Sequence, residues 1–309
     1  MPLVHPDKHT SLRAVILDWA GTTVDYGSLA PMLAFEETFK RRGIPLSQEK
    51  VRAPMGMHKR DHIRAILQMA SVAERWTAQY GKPPDESDTE AVYQEFIPLQ
   101  LELLASHARP VPGALEAVAE MRRMGLKIGS TTGYNREMMD ILAPAAAKYG
   151  YQPDAVVCVS DLPPFFGGLS PRSGDLPPFF GGVSPHSGDL PPHSGETLSG
   201  RPEPWMALLC AMQLRAFPMA AIVKIGDTVL DIQEGLNAGM WTIGVALTGN
   251  EIGLDEAGVK ALPAAELSTR LERAYARLRQ AGAHYVVDGI WDVPPVLGEI
   301  NARQSTPAT

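Results

Sequence analysis

One rhythm along the chain constrains its fold more than any other feature: short apolar runs alternate with helix-periodic segments, and the alternation is interrupted once. Ala14–Leu17 is an apolar run of strand length that ends in Asp18 and breaks into Gly21-Thr22-Thr23. From about residue 106 the pattern becomes regular. Gly113–Met124 reads as a helix, Leu126–Ser130 as a strand, Asn135–Tyr149 as a helix and Ala155–Ser160 as a strand. Pro204–Leu214 then reads as a helix, Ala220–Ile225 as a strand, Leu230–Ala238 as a helix and Thr242–Leu247 as a strand. Strands that alternate with helices predict an α/β fold, a doubly wound parallel sheet. Between the first strand and this series lies a stretch with helix-like apolar spacing at Met32–Arg42, His58–Ala70 and Thr89–Leu104. Pro54 and Lys82-Pro83-Pro84-Asp85 punctuate it, and no convincing strand appears. The expected organisation is a catalytic core of residues 1–28 and 106–309, with an all-helical cap at 29–105 inserted after the first strand. A cap placed there can close over the strand's C-terminal end, which is where ligands bind in open α/β sheets.

Composition excludes several classes of function. The 309 residues are 45% hydrophobic and 20% charged, enough for a large core in one or two domains. A formal net charge of −7 does not resemble a basic nucleic-acid footprint. No apolar run approaches the roughly 20 residues that span a bilayer, and the first ten residues have no apolar signal core. Cys158 and Cys210 lie in apolar stretches without metal-ligand spacing, which predicts two reduced, buried thiols. A cytoplasmic protein with no nucleic-acid or membrane partner is expected.

One segment departs from the alternation. Asp161–Gly174 (DLPPFFGGLSPRSG) is followed by the near-copy Asp175–Gly188 and a shortened copy, Asp189–Gly195. Its prolines and glycines exclude helix and disfavour a central strand. The unit is too short and too seldom repeated for a solenoid. A surface loop over 161–199 is expected. The functional alternative is a docking segment that uses Phe165-Phe166 and Phe179-Phe180.

Four pieces fall at the C-terminal ends of expected strands. Asp18 is the first. Ser130-Thr131-Thr132-Gly133 is the second; a hydroxyl and loop N–H groups there can hold a phosphoryl oxygen. Arg201, in Gly200-Arg-Pro-Glu-Pro-Trp205, is the third, and a guanidinium there can neutralise phosphate charge. The fourth is Gly226-Asp227-Thr228-Val229-Leu230-Asp231. Carboxylates beside a phosphate site suit Mg²⁺, which needs only one or two protein acids. Each piece also has a plainer reading: Asp18 as a turn residue, Arg201 as a surface residue, Asp231 as a helix-start acid stabilised by the macrodipole.

The order Asp18, Thr132, Arg201 and Asp227/Asp231 resembles the four motifs of the haloacid dehalogenase superfamily with a helical cap after the first strand. Asp18–Gly27 (DWAGTTVDYG), Pro54–His62 (PMGMHKRDH), Gly129–Tyr134 with Arg136–Asp140, and Gly226–Val229 with Asn237–Trp241 resemble the phosphonoacetaldehyde hydrolase (phosphonatase) family. The likeness covers nearly the whole chain except the repeat. It implies hydrolysis of phosphonoacetaldehyde to acetaldehyde and phosphate, in the breakdown of 2-aminoethylphosphonate, by a homodimer joined through its caps. It places Lys59 at the family's Schiff-base position and Met55 at another cap position, although plain apolar packing accounts for Met55 equally well. It implies metal ligation by Asp18, the Ala20 carbonyl and Asp227, phosphoryl contacts from Thr132, Gly133 and Arg201, and a supporting role for Asp231.

Ala20 sharpens the expectation. Most phosphatases of the superfamily carry Asp-x-Asp, whose second acid protonates an oxygen leaving group. Ala20 cannot do so, which suits a carbon leaving group. Such a group becomes tolerable when a lysine imine accepts the departing electrons as an enamine. Attack on the aldehyde requires a neutral Lys59. Its pKa must therefore fall from about 10.4 to roughly 7–8, by desolvation and by nearby cations such as His58, Arg60 and His62. His62 either shuttles protons or lies in the cap core. The competing functions are a phosphomonoester phosphatase or phosphomutase of the same superfamily, a dehalogenase, which the paired acids disfavour, and an impaired interaction protein that binds through its repeat.

Overall fold

A computed structural model describes residues 11–162 and 200–305. The expected repeat loop at 161–199, with its two Phe-Phe pairs, lies outside them except for its first two residues, Asp161 and Leu162. Among the described residues, six parallel strands form one sheet: β1 (Ala14–Leu17), β2 (Lys127–Thr132), β3 (Ala155–Cys158), β4 (Ile222–Gly226), β5 (Trp241–Val245) and β6 (Tyr285–Val287). Their order is β3-β2-β1-β4-β5-β6. β1 is therefore central, pairing Leu17 with Ser130 on one side and with Ile225 on the other. All four β1 residues are buried, as a strand covered on both faces requires. Val15 and Leu17 point into one apolar cluster and Ala14 and Ile16 into another, following the two-residue period of a strand.

Five consecutive helices follow β1: α1 (Leu29–Arg41), α2 (Gln48–Arg52), α3 (Lys59–Leu67), α4 (Ala70–Tyr80) and α5 (Glu86–Leu104). α1 and α3 both pack on α5, around Phe35, Phe39, Ile63, Ile66, Val92 and Phe96, all fully buried. This is the inserted helical cap. α1 starts from a tight turn in which Asp25, Gly27 and Ser28 have positive φ. The Asp25 carboxylate accepts the N–H groups of Leu29 and Ala30 at 3.0 Å, satisfying two free donors of the first turn. α5 opens on a capping box formed by Asp85 and Asp88.

The remaining helices follow or flank the strands: α6 (Ala114–Arg123), α7 (Arg136–Ala147), α8 (Trp205–Leu214), α9 (Val229–Asn237), α10 (Glu256–Ala261), α11 (Ala264–Gln280) and α12 (Val293–Ser305). β2 extends two residues beyond its expected end, so Thr131 and Thr132 are strand residues, paired with Val157 and Cys158. Both cysteines are buried and free. Among the described residues, no helix is long and apolar enough to cross a membrane.

Candidate active site

At the C-terminal edge of the sheet, one cleft is lined by Asp18 and Ala20 after β1, Thr132, Gly133 and Tyr134 after β2, Arg201 before α8, and Asp227 and Thr228 after β4. The turn before α1 adds Ser28, and the cap supplies Pro31, Met55, Gly56 and Lys59 from above. Two glycines permit this close approach. A side chain on Gly56 would lie 2.6 Å from the Thr228 hydroxyl, and one on Gly133 would lie 2.6 Å from the Met57 carbonyl oxygen.

Arg201 is fully engaged. Nη2 donates to Asp18 Oδ1 at 2.7 Å and to the Thr131 carbonyl at 2.8 Å. Nε donates to Glu234 Oε2 at 2.9 Å, and Nη1 lies 2.9 Å from Asp231 Oδ1. The surface reading of Arg201 is thereby excluded. The repeat ends just before it, yet a side chain on Gly200 would sit within 3.4 Å of Val159, so the chain returns beside the end of β3.

Asp231 is both a helix-start acid and a member of the charge cluster. Thr228 and Asp231 form the capping box of α9, while Asp231 Oδ1 also takes Lys224 Nζ at 2.6 Å. Its oxygens are thus occupied by two cations and by Thr228, and these cations hold its pKa below the usual carboxylate range despite burial. Asp227 differs. It accepts the Asn250 N–H at 2.7 Å and the Thr22 hydroxyl at 3.3 Å, with no cation on it. Burial, then the charges of Asp18 and Asp231, raise its pKa well above normal. Asp18 is raised to about 6 by burial and by Asp231, against the pull of Arg201 and Lys224.

This donor set fits a divalent cation. Ligand atoms of Asp18, Asp227 and Asp231 lie within 4.8 Å of one another. Asp18, Asp231 and Glu234 meet the cations Arg201 and Lys224, while Asp227 meets neither. With buried Lys59 above the cleft, these four buried carboxylates stand against three buried cations, and surplus negative charge of this kind is relieved by a hard cation with oxygen ligands. Asp227 is also held in a tight cradle, since side chains on Gly21 or Gly249 would lie within 2.4 Å of it.

Lys59 is buried at the start of α3, its Nζ 5.0 Å from the Tyr134 ring centroid and 5.7 Å from that of Phe35. Its pKa is lowered to about 8, chiefly by desolvation. Asp18 opposes the shift and Arg201 adds to it. The expected cationic helpers are corrected here. Arg60 turns away to Glu90 and the Tyr93 ring, and His58 lies 3.9 Å from Asp61. His62 is fully buried, donates from Nε2 to the Val51 carbonyl at 2.7 Å and packs 4.0 Å from Phe35. It does not line the cleft, and burial drives its pKa well below normal. Its burial places His62 in the cap core, as a ring of α3 packed between Phe35 and Val51.

Sequence reasoning missed Lys224 and Glu234, and it named Thr131 only within its motif, not as a partner of Arg201. A lysine inside the apolar run of β4 was the available signal. Glu234, three residues after Asp231 and so on the same helical face, was another.

Fold and cleft together define a haloacid dehalogenase-like hydrolase: the model of that family matches residues 12–239. The chain is 44% identical over 290 residues to phosphonoacetaldehyde hydrolase of Syntrophobacter fumaroxidans, covering 94% of this chain and 92% of that protein. It is 40% identical over 293 residues to the enzyme of that name from Bacillus cytotoxicus, with 95% and 98% covered. A crystal structure of a phosphonoacetaldehyde hydrolase-like protein from Oleispira antarctica aligns with a TM-score of 0.84 at 35% identity, covering 99% and 98% of the two chains. Within the class, the chain belongs to the phosphonoacetaldehyde hydrolase family.

Proposed function

We propose that the chain hydrolyses the carbon–phosphorus bond of phosphonoacetaldehyde, giving acetaldehyde and phosphate, as a step in 2-aminoethylphosphonate degradation. The observation that carries this reading is a buried lysine over the nucleophile's cleft, with its amine brought to about pKa 8. Neutral Lys59 adds to the aldehyde carbon, and loss of water leaves an imine. Asp18 attacks phosphorus, the C–P bond breaks, and its electron pair moves into an enamine conjugated with the Lys59 nitrogen. Water then hydrolyses the aspartyl phosphate. Protonation of the enamine carbon and hydrolysis of the imine release acetaldehyde and free Lys59.

Thr132, Gly133 and Arg201 would hold phosphoryl oxygens. Glu234, Asp231 and Thr131 hold the guanidinium in place, so only the Nη2 contact with Asp18 would have to give way to a phosphoryl oxygen. Asp18, Asp227 and the Ala20 carbonyl would hold Mg²⁺, with Asp231 behind them. When bound, the ion would offset the charge between the carboxylates and the phosphoryl oxygens. Met55 would wall the organic end of the substrate.

The same reading takes residues 29–105 as the cap domain and 1–28 with 106–309 as the core. It also includes a homodimer joined through the caps, as the likeness to the family implies. Light scattering on the purified protein tests this. Two free, buried thiols suit the reducing cytoplasm.

A phosphomonoester phosphatase or phosphomutase is the alternative, and Ala20 disfavours it, because no acid stands two residues beyond Asp18. A coupled assay for acetaldehyde and phosphate separates the two. Stoichiometric release of both from phosphonoacetaldehyde supports C–P hydrolysis. Turnover of phosphate monoesters in its place would overturn it.

A further inference from the structure

Arg52, at the last position of α2, links the cap to the core through three hydrogen bonds. Nη1 donates to the Gly27 carbonyl at 3.0 Å and to Asn250 Oδ1 at 3.2 Å, and Nη2 donates to the Gly253 carbonyl at 2.9 Å. Asn250 answers by donating from Nδ2 to the Arg52 carbonyl at 3.3 Å. Every one of these partners is an uncharged oxygen or amide. Asp227, Asp25, Glu36 and Glu251 provide the negative field around the guanidinium. A close-fitting slot receives it: a side chain on Gly253 would lie 2.5 Å from Arg52 Nε.

The segments that Arg52 joins are those that frame the cleft. Gly27 belongs to the turn leading into α1, and its N–H donates to the Thr248 carbonyl at 2.7 Å. The Thr248 hydroxyl donates to the Gly21 carbonyl at 2.6 Å. In the same loop, the backbone N–H of Asn250 donates to Asp227 Oδ2 at 2.7 Å. Arg52 thus holds the side chain of the residue whose backbone aims Asp227. On its other side, a short loop carries Met55 and Gly56 onto Thr228 and leads to Lys59.

We propose that Arg52 is a positioning residue that fastens the cap over the core and, through Asn250, sets the Asp227 carboxylate for the cation. One fastening would then hold both the lysine above the cleft and the acid below it. The inference rests on the metal-dependent reading of the site, and its test reads the protein without substrate. Arg52→Gln removes the fork but keeps a polar side chain, whereas Arg52→Lys keeps the charge and can reach fewer of the three carbonyl oxygens. Mg²⁺ alone is titrated into the substrate-free protein by calorimetry, and amide hydrogen exchange is followed in residues 248–254 and 50–58. Arg52→Gln is expected to weaken Mg²⁺ binding about tenfold and to speed exchange in both segments, with Arg52→Lys between it and the parent. Asn250→Ala, which retains the backbone N–H to Asp227, is expected to show the same pattern more weakly, and it stands in if Arg52→Gln does not fold. Unchanged Mg²⁺ affinity and unchanged exchange at 248–254 in the folded variants would overturn the proposal. Failure of the parent protein to cleave phosphonoacetaldehyde while these shifts appear would overturn the proposed substrate and leave Arg52's role standing.

Discussion

Lys59 is an ionisable group placed where ionisation is disfavoured. Its pKa falls from 10.5 to about 8, mainly through desolvation. Below pH 8 the amine is charged in both folded and unfolded chains, so the native state bears the whole penalty, roughly 2–4 kcal/mol. Between pH 8 and 10.5 the unfolded chain holds more protons, and stability rises with pH through that window. Lys59→Met is therefore expected to be more stable than the parent at pH 6–7 by chemical denaturation, with a gain that shrinks as pH climbs toward 10.5. The same variant should lose activity. In the parent, kcat/KM should rise with pH along a limb centred near 8, because only the neutral amine attacks the aldehyde; a flat profile from pH 6 to 9 would contradict this. Glu234 acts on Arg201, not on substrate. Glu234→Gln keeps the shape but loses the charge that holds Arg201 Nε, Lys224 and the Thr131 hydroxyl. It is expected to lower kcat/KM roughly 10–100-fold and stability by about 1–3 kcal/mol, measured by kinetics and urea denaturation.

At the scale of elements, what the sequence made legible was the strand that delivers each acid. β1, β2 and β4 follow from apolar runs that end in polar residues, and their parallel pairing brings Asp18, Thr132 and Asp227 to one edge. α2, α4, β6 and the helices from α10 onward were not foreseen. α2 has five residues and β6 three, too few to show a period. His62 shows a different limit. Helical spacing put it near Lys59, but which face of α3 meets the core depends on Phe35 and Val51, which come from α1 and α2. Arg201 could be placed by motif, but not its clamp, because Lys224 and Glu234 reach it from β4 and α9 through tertiary packing. The end of α2 and the loop at 248–253 meet only because the cap folds back over the sheet, so neither Arg52 nor Asn250 carried a local signal.

Across the whole molecule, the cleft divides its chemistry between two bodies of structure. The core gathers carboxylates, Arg201 and Lys224, while the cap brings a desolvated amine and apolar walls. Chelation with EDTA is expected to abolish phosphate release, and added Mg²⁺ to restore it. In the proposed reaction the core would supply the metal ligands and the cap the imine, so borohydride trapping should persist in EDTA. The repeat inserts between β3 and Arg201, but Arg201 is gripped by core residues and the chain returns beside Val159. Replacing residues 163–197 with a short Gly-Ser linker is expected to change kcat/KM by no more than about twofold; a large gain would show that the insertion impairs the site. In the proposed reaction an amine from the cap turns carbon into a workable leaving group. Reduction with borohydride in the presence of phosphonoacetaldehyde, followed by peptide mass spectrometry, tests it most directly. The expected result is one two-carbon adduct on Lys59 with parallel loss of activity, and no adduct in Lys59→Arg. Equal labelling of Lys59→Arg, or full turnover by that variant, would contradict the account.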